Sequence, residues 1–462
     1  MSRARRLLFS GGSVVEADGV SRADVLVEGE TITAVGTLAD IADAEQIDAR
    51  GMLVLPGAVD VHTHLDTPFM GTVTSDDHIT GSIAALAGGT TTYVDFAFQQ
   101  PGERLPETLE AWHTKARNRS VADYSFHLAI ADPYDGFLDD LPIVVADGSP
   151  SIKVFMAYKG LAMLDDGQLY DVLRASSRLG ANVCIHAENG HLIDALGREV
   201  VATGRTGPLG HLLTRPPMTE VEAVRRAIAI ADLADAPVYF VHLSTGGAAQ
   251  ALAEAQERGR PISGETCTHY LLLGDDEYHR PGFEAAKYVV SPPLRGVDDR
   301  AAMWRALRAG TIGVVSSDHC PFCFAGQKEL GHDDFRKIPN GAPGVEHRLP
   351  LLYGHGVRAK RLELSEMVRV ACTEPAKAFG LHPRKGTLRP GSDADVVVLD
   401  PDGSTVVMAS TQHQRSDYTP FERWSVPGRI RGVWRRGEHV VDRGRFIGGA
   451  GGGTFVPRRP VT

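Results

Sequence analysis

Eight times between residues 59 and 318 an apolar, β-rich run gives way to a helical stretch, and this alternation constrains the chain more than any other feature. The runs are Val59–His64, Thr90–Phe96, Tyr124–Ile130, Ile152–Ala157, Asn182–His186, Val238–Leu243, Ile262–Cys267 and Thr311–Asp318. Helical periodicity falls between them, in Ser82–Ala87, Glu107–Asn118, Gly167–Leu179, Glu220–Leu233 and Ala248–Arg258. Apolar runs joined by helical crossovers imply parallel strands buried on both faces. Eight units in about 300 residues predict an α/β fold built on a (β/α)8 TIM-type barrel with insertions. An open doubly wound sheet competes, but neither a G-x-G-x-x-G nor a Walker A loop is present to give it a nucleotide site.

The flanks have another texture. Short β-rich runs broken by Gly, Asp and Glu occupy Ser13–Val15, Asp24–Glu28, Thr31–Val35 and Met52–Leu55, and return in Asp395–Leu399, Thr405–Met408, Gly432–Arg435 and His439–Val440. They predict a small β-sandwich formed by the N- and C-terminal segments, with the barrel inserted between them. The expected boundaries are 1–55 for the first part of the sandwich, 56–380 for the barrel and 381–447 for the second part. Gly448 to Gly453 reads as a flexible linker opening a tail over 448–462. A formal charge of −10 argues against nucleic acid as a partner. The basic start Met1 to Arg6 imitates a signal peptide, but its apolar run stops at Ser10, and no run approaches the ~20 residues of a membrane span. Five scattered cysteines point to reduced thiols in a soluble, cytoplasmic protein.

In a barrel of this kind chemistry sits at the C-terminal ends of the strands. The first strand ends in His62-Thr63-His64, whose imidazoles, two residues apart, share a strand face. Alone, an H-x-H is more often a solvated pair than a ligand pair. The fifth run, however, ends in His186, the sixth in His242 and the eighth in Asp318, while the fourth contains Lys153 between apolar neighbours. Four imidazoles and a carboxylate closing apolar runs suit zinc or a similar first-row metal. An unpaired ammonium at Lys153 would be costly. A structural salt bridge is the ordinary remedy. A CO2-derived carbamate, which removes the positive charge and offers two oxygens to bridge metals, fits the surrounding ligands better.

The order H-x-H, Lys, His, His, Asp resembles the binuclear cyclic amidohydrolases. Longer strings resemble their hydantoinase and dihydropyrimidinase branch: His62 to Phe69, Lys153 to Gly160, His186 to Gly190, Gly264 to Cys267, Ser291 to Arg295, Ser317 to Phe322, Lys337 to Gly341 and Pro383 to Gly386. The resemblance implies that His62, His64, carbamylated Lys153 and Asp318 hold one divalent ion and that Lys153, His186 and His242 hold a second, Zn2+ or Mn2+. A bridging hydroxide would open a cyclic amide to an N-carbamoyl amino acid. Asp318 would then act as general base and acid, Tyr158 would donate to the oxyanion, and the backbone of Ser291 and Asn340 would match the ring's alternating C=O and N–H groups. A homotetramer, or a dimer, is also implied, with the tail reaching a neighbouring subunit.

Asp66, two residues after the H-x-H, stands where dihydroorotase-like relatives place a carboxylate-gripping arginine, which favours an uncharged ring. Phe69-Met70-Gly71 looks more like dihydropyrimidinases. Ala162, where relatives often place an aromatic, predicts room for bulky 5-substituted hydantoins. An allantoinase-like ureide hydrolase is the alternative within the class. The collapsin response mediator proteins, scaffolds that have lost metal ligands, are the alternative outside it, and here all six ligand positions are filled. Cys320-x-x-Cys323 reads as a bystander, His319 as support for Asp318, the remaining histidines as packing or surface residues, and Arg429 to Arg443 as a solvated strand face.

Overall fold

The computed structural model describes residues 5–38, 41 and 43–460. Eight parallel strands pair in chain order: β1 (Ala58–Thr63), β2 (Thr90–Phe98), β3 (Asp123–Ala129), β4 (Ser151–Phe155), β5 (Asn182–His186), β6 (Val238–Phe240), β7 (Ile262–Cys267) and β8 (Val314–Ser316). Just past β8, His319 N–H donates to the His62 carbonyl at 3.3 Å and its own carbonyl accepts from His64 N–H at 2.9 Å, which closes the cylinder at its C-terminal rim. Outer helices seal the barrel by amphipathic spacing. Asp166–Arg178 buries Leu169, Val172, Leu173 and Ser176. It starts where it does because Asp165 and Gln168 cap each other's backbone N–H, at 2.8 and 3.0 Å.

Strands β6 and β8 are shorter than the sequence pattern suggests. His242 and Asp318 lie beyond the ladder with left-handed φ of 40° and 46°, so each leaves its strand in a turn that aims the side chain inward.

The end segments form one separate, mainly antiparallel sheet of nine strands. Its seam is Leu53–Pro56, parallel to Arg6–Glu16 on one side and antiparallel to Val396–Val406 on the other. The sheet curls: Phe9 and Trp434 stack edge-on at 4.8 Å although two strands separate theirs. Leu7, Phe9, Val25, Val27, Val396 and Val398 fill its own core, while Leu53, Leu55, Val397, Leu399 and Val433 join the barrel's.

Two expectations fail at the barrel's N-terminal end. The tail expected to be flexible packs on its own barrel. Gly453 N–H donates to Ser120 O, Val456 N–H to Tyr124 O at 2.7 Å, and the Tyr124 N–H bonds Thr454 O at 3.0 Å. A Cβ at Gly453 would meet the Ala122 carbonyl at 2.0 Å, so the glycine run permits close approach rather than looseness. Arg458 is buried beneath the strands on Ser125 Oγ (2.8 Å), Ser151 Oγ (2.7 Å) and the Phe126 carbonyl. Residues 461–462 of that tail, like residues 1–4 of the basic start, lie outside the described residues. Nor is the basic stretch wholly solvated. Arg435 is buried on the Val121 carbonyl, and Arg436 pairs with Asp123 at 3.1 Å. Asp123 also meets buried Lys385 at 2.6 Å, and the same ammonium lies 2.9 Å from Asp393 and 2.8 Å from Asp395.

Candidate active site

The rim of the barrel brings together every residue singled out for chemistry. His62, His64, Lys153, Tyr158, His186, His242, Ser291, Asp318 and Asn340 line one recess of about 480 Å³, with Thr67, Phe69, Phe98, Phe155, Cys320 and Gly341 completing its wall. Asp318 Oδ1 lies 3.1 Å from His62 Nε2 and 3.5 Å from His64 Nε2. The ligand atoms of these three residues all fall within 4.8 Å of one another, a group able to hold a metal ion. On the facing side His186 Nδ1 and His242 Nε2 are 2.9 Å apart.

Two buried carboxylates orient these rings. Glu265 bonds His62 Nδ1, which leaves Nε2 turned into the recess. Glu188 bonds His186 Nε2 at 2.9 Å, which leaves Nδ1 turned inward. Carboxylates on the outer nitrogens of metal-ligating histidines fix tautomer and ring direction in this way. Neither glutamate carries an assignment from the sequence alone. A signal was available for Glu265: a carboxylate within a buried strand demands a partner.

Lys153 is 1% exposed, and its Nζ has no hydrogen-bond partner among the described residues. The ring centroids of Phe96 and Phe155 lie 5.0 and 5.2 Å from it. Burial lowers its amine to about 8 against the weaker pull of Cys184, Asp318 and Glu265. The ordinary remedy of a salt bridge is therefore absent, and an uncharged, nucleophilic amine is within reach at neutral pH. A donor set of imidazoles, a carboxylate and an orphaned amine able to become a carbamate fits divalent metal.

Tyr158 leaves the fourth unit with φ 61°, and its hydroxyl meets the side chains of Ser291 and Asn340, which bond each other at 3.0 Å. Burial raises the phenol to about 12, so it remains a donor across the working pH range.

Three readings need correction. Asp66 is not part of the recess wall: its carboxylate lies 3.7 Å from Arg119 and its carbonyl accepts from Lys115 at 2.7 Å. The case for an uncharged ring rests instead on a wall with no arginine and Lys153 as its one cation, among the described residues. Ala162 is buried in the core, because a helical turn closed by its N–H on Tyr158 O carries it inward. Leu161 is the exposed residue there, lining an adjoining cleft with Phe69 and Phe98. Cys320 is no bystander to the cavity, since it forms part of its wall, although it is free and Cys323 lies apart. His319 supports the rim through its backbone, as above, while its ring faces Asp76 at 3.2 Å.

Comparison with known proteins agrees with this geometry. The Amidohydrolase family model matches residues 53–440. The D-hydantoinase of Geobacillus stearothermophilus is 46% identical over 452 residues, covering 98% of this chain and 96% of that protein. The D-hydantoinase of Streptomyces coelicolor is 44% identical over 458 residues, covering 98% of each. The crystal structure of dihydropyrimidinase from Brevibacillus agri NCHU1002 superposes with a TM-score of 0.97 at 46% identity, over 99% of both chains. Rim, recess and relatives agree: the chain belongs to the amidohydrolase family, in its hydantoinase and dihydropyrimidinase branch.

Proposed function

We propose that the protein is a metal-dependent cyclic amidohydrolase that opens the C–N amide bond of hydantoins and dihydropyrimidines to give N-carbamoyl amino acids. The observation that carries this is the convergence, from five strands, of four histidines, an aspartate and a partnerless buried amine on one recess. His62, His64, Lys153 and Asp318 would hold one ion, and Lys153, His186 and His242 the other. Zinc suits these donors, and manganese is the second choice. The neutral Lys153 amine adds to CO2, forming an N–C bond and releasing a proton, and the resulting anion replaces a charge that burial disfavours. When bound, the ions supply water ionised near neutral pH and polarise the scissile carbonyl.

The chain's own groups do the rest. Asp318 accepts the proton of the attacking water and returns it to the leaving nitrogen. The Tyr158 hydroxyl, held protonated by burial, donates to the oxygen on which charge develops. The peptide groups of Ser291 and Asn340 grip the ring without a charged side chain. A cytoplasmic setting fits five free cysteines, and no helix among the described residues is long and apolar enough to cross a membrane. The homotetramer rests on family resemblance.

The test is a hydrolysis panel on metal-replete enzyme: dihydrouracil, hydantoin, 5-substituted hydantoins of both hands, allantoin and dihydroorotate. Hydantoins and dihydrouracil should be opened, and dihydroorotate left intact. Turnover of allantoin alone would move the protein to the ureide hydrolases. No turnover together with no bound metal after growth in zinc or manganese would make it a scaffold.

A further inference from the structure

A second lysine near the recess is buried without a carboxylate. Lys328 is 0% exposed, and its ammonium donates to three main-chain carbonyls: Val289 at 3.0 Å, Pro339 at 2.6 Å and Gly341 at 2.7 Å. These belong to the two loops that carry Ser291 and Asn340. The loops are also tied directly, by Gly341 N–H on Val289 O at 3.0 Å and by Asn340 Nδ2 on Ser291 Oγ at 3.0 Å.

The pattern of occupied carbonyls is informative. On the first loop the Tyr278 hydroxyl takes Tyr288 O, Lys328 takes Val289 O, His211 takes Val290 O at 2.8 Å and the Tyr270 hydroxyl takes Pro292 O at 2.6 Å. The Ser291 carbonyl accepts no hydrogen bond among the described residues. On the second loop Lys328 takes the carbonyls on either side of Asn340, whose own carbonyl meets only the weak Cys320 thiol donor at 3.7 Å. Ser291 and Asn340, both of which line the recess, thus keep peptide oxygens that no strong donor takes.

We propose that Lys328 is a positioning residue, whose ammonium clamps both loops so that the free peptide groups of Ser291 and Asn340 stand at a fixed spacing for the ring. The proposal rests on reading those two residues as the ring's grip. A neutral, donor-poor side chain would leave the Pro339 and Gly341 carbonyls to find new partners and Val289 O with the Gly341 N–H alone, and the loops would shift to compensate. Lys328 touches neither substrate nor metal, so its loss acts on KM.

The experiment compares Lys328→Met and the milder Lys328→Gln with the parent holoenzyme, measuring KM, kcat, bound metal and thermal midpoint. Expected is a KM rise of tenfold or more for Lys328→Met and a smaller rise for Lys328→Gln. Metal content should stay unchanged, kcat should fall less than KM rises, and the rise should be the same for dihydrouracil and a 5-substituted hydantoin, which share the gripped part of the ring. A lowered thermal midpoint with KM unchanged overturns the proposal, and so does failure of both variants to fold, since the lysine would then serve the fold. A hydantoin methylated on a ring nitrogen, used as a competitor of the parent enzyme, separates the two readings. If methylation does not weaken its binding, the grip by Ser291 and Asn340 is wrong. If it does, and the Lys328 variants keep the parent KM, Lys328 alone is misread.

Discussion

The two mouths of the barrel bury charge in opposite ways. At the N-terminal mouth Lys385 lies within 2.9 Å of three carboxylates, and Arg436 shares one of them. Burial alone would lower the Lys385 amine, but Asp395, Asp123 and Asp393 outweigh it and hold the amine above its ordinary value. At the C-terminal mouth Lys153 has no such partner, and burial wins. One lysine is a finished structural contact. The other is a buried amine that faces four histidines and an aspartate across one recess without a partner among the described residues, and that pairing of burial with metal-ligating neighbours marks where an outside group belongs.

Removing each lysine should therefore do different damage. Lys153→Ala should lower kcat/KM on the order of a thousandfold or more and lose metal at the same time, with partial rescue by short carboxylic acids standing in for the carbamate. Full activity in that variant would abolish the carbamate and with it the contrast. Lys385→Met should leave kcat and metal per folded molecule unchanged but cost about 3–5 kcal/mol of stability in denaturant titrations, because it strands buried carboxylates.

That stability gap has a definite pH window. Burial alone would raise the Asp123 carboxyl, but Lys385 and Arg436 hold it below its ordinary 3.8, so its share is complete above 3.8 and is lost as pH falls through the depressed value. The Lys385 amine is raised, so its share is complete below its ordinary 10.5 and is lost as pH climbs through the raised value. The gap between variant and parent should be widest between these limits and shrink outside them. The smallest expected effect is that of Glu265→Gln, which keeps an acceptor for His62 Nδ1 but not its charge. Metal affinity should fall about 10–100-fold, with kcat recovered in excess metal. Unchanged affinity would reduce Glu265 to a bystander.

The barrel was legible because its strands are continuous apolar runs, and the ligands because each interrupts such a run at its end. Lys153 stood out as a charge inside such a run. What could not be read depends on contacts distant in sequence. Glu265 declares by its buried strand that it needs a partner but not which one, and Glu188, in the loop past β5, carries no such signal, so both passed unassigned. Six residues of mostly glycine look like a linker until the chain is seen pressed against Ala122. The left-handed turns at His242 and Asp318 gave no local signal, since neither position carries the glycine that usually marks a positive φ. Asp66 and Ala162 were placed correctly along the chain but wrongly in direction, because a single turn decides which side of a loop meets the cavity.

The seam of the small sheet has a kinetic consequence. Pro56 pairs with Val396, and closing a floppy chain of about 340 residues to make one contact would carry an entropic cost of roughly 5 kcal/mol. The barrel removes most of that cost by delivering both ends of its own sequence to the same place. On that argument the seam, unlike the local hairpins on either side of it, would close only as fast as the intervening strands fall into order. Amide exchange along Leu53–Pro56 would then register the integrity of a barrel whose core Leu53 and Leu55 help to fill but whose strand ladder they do not join.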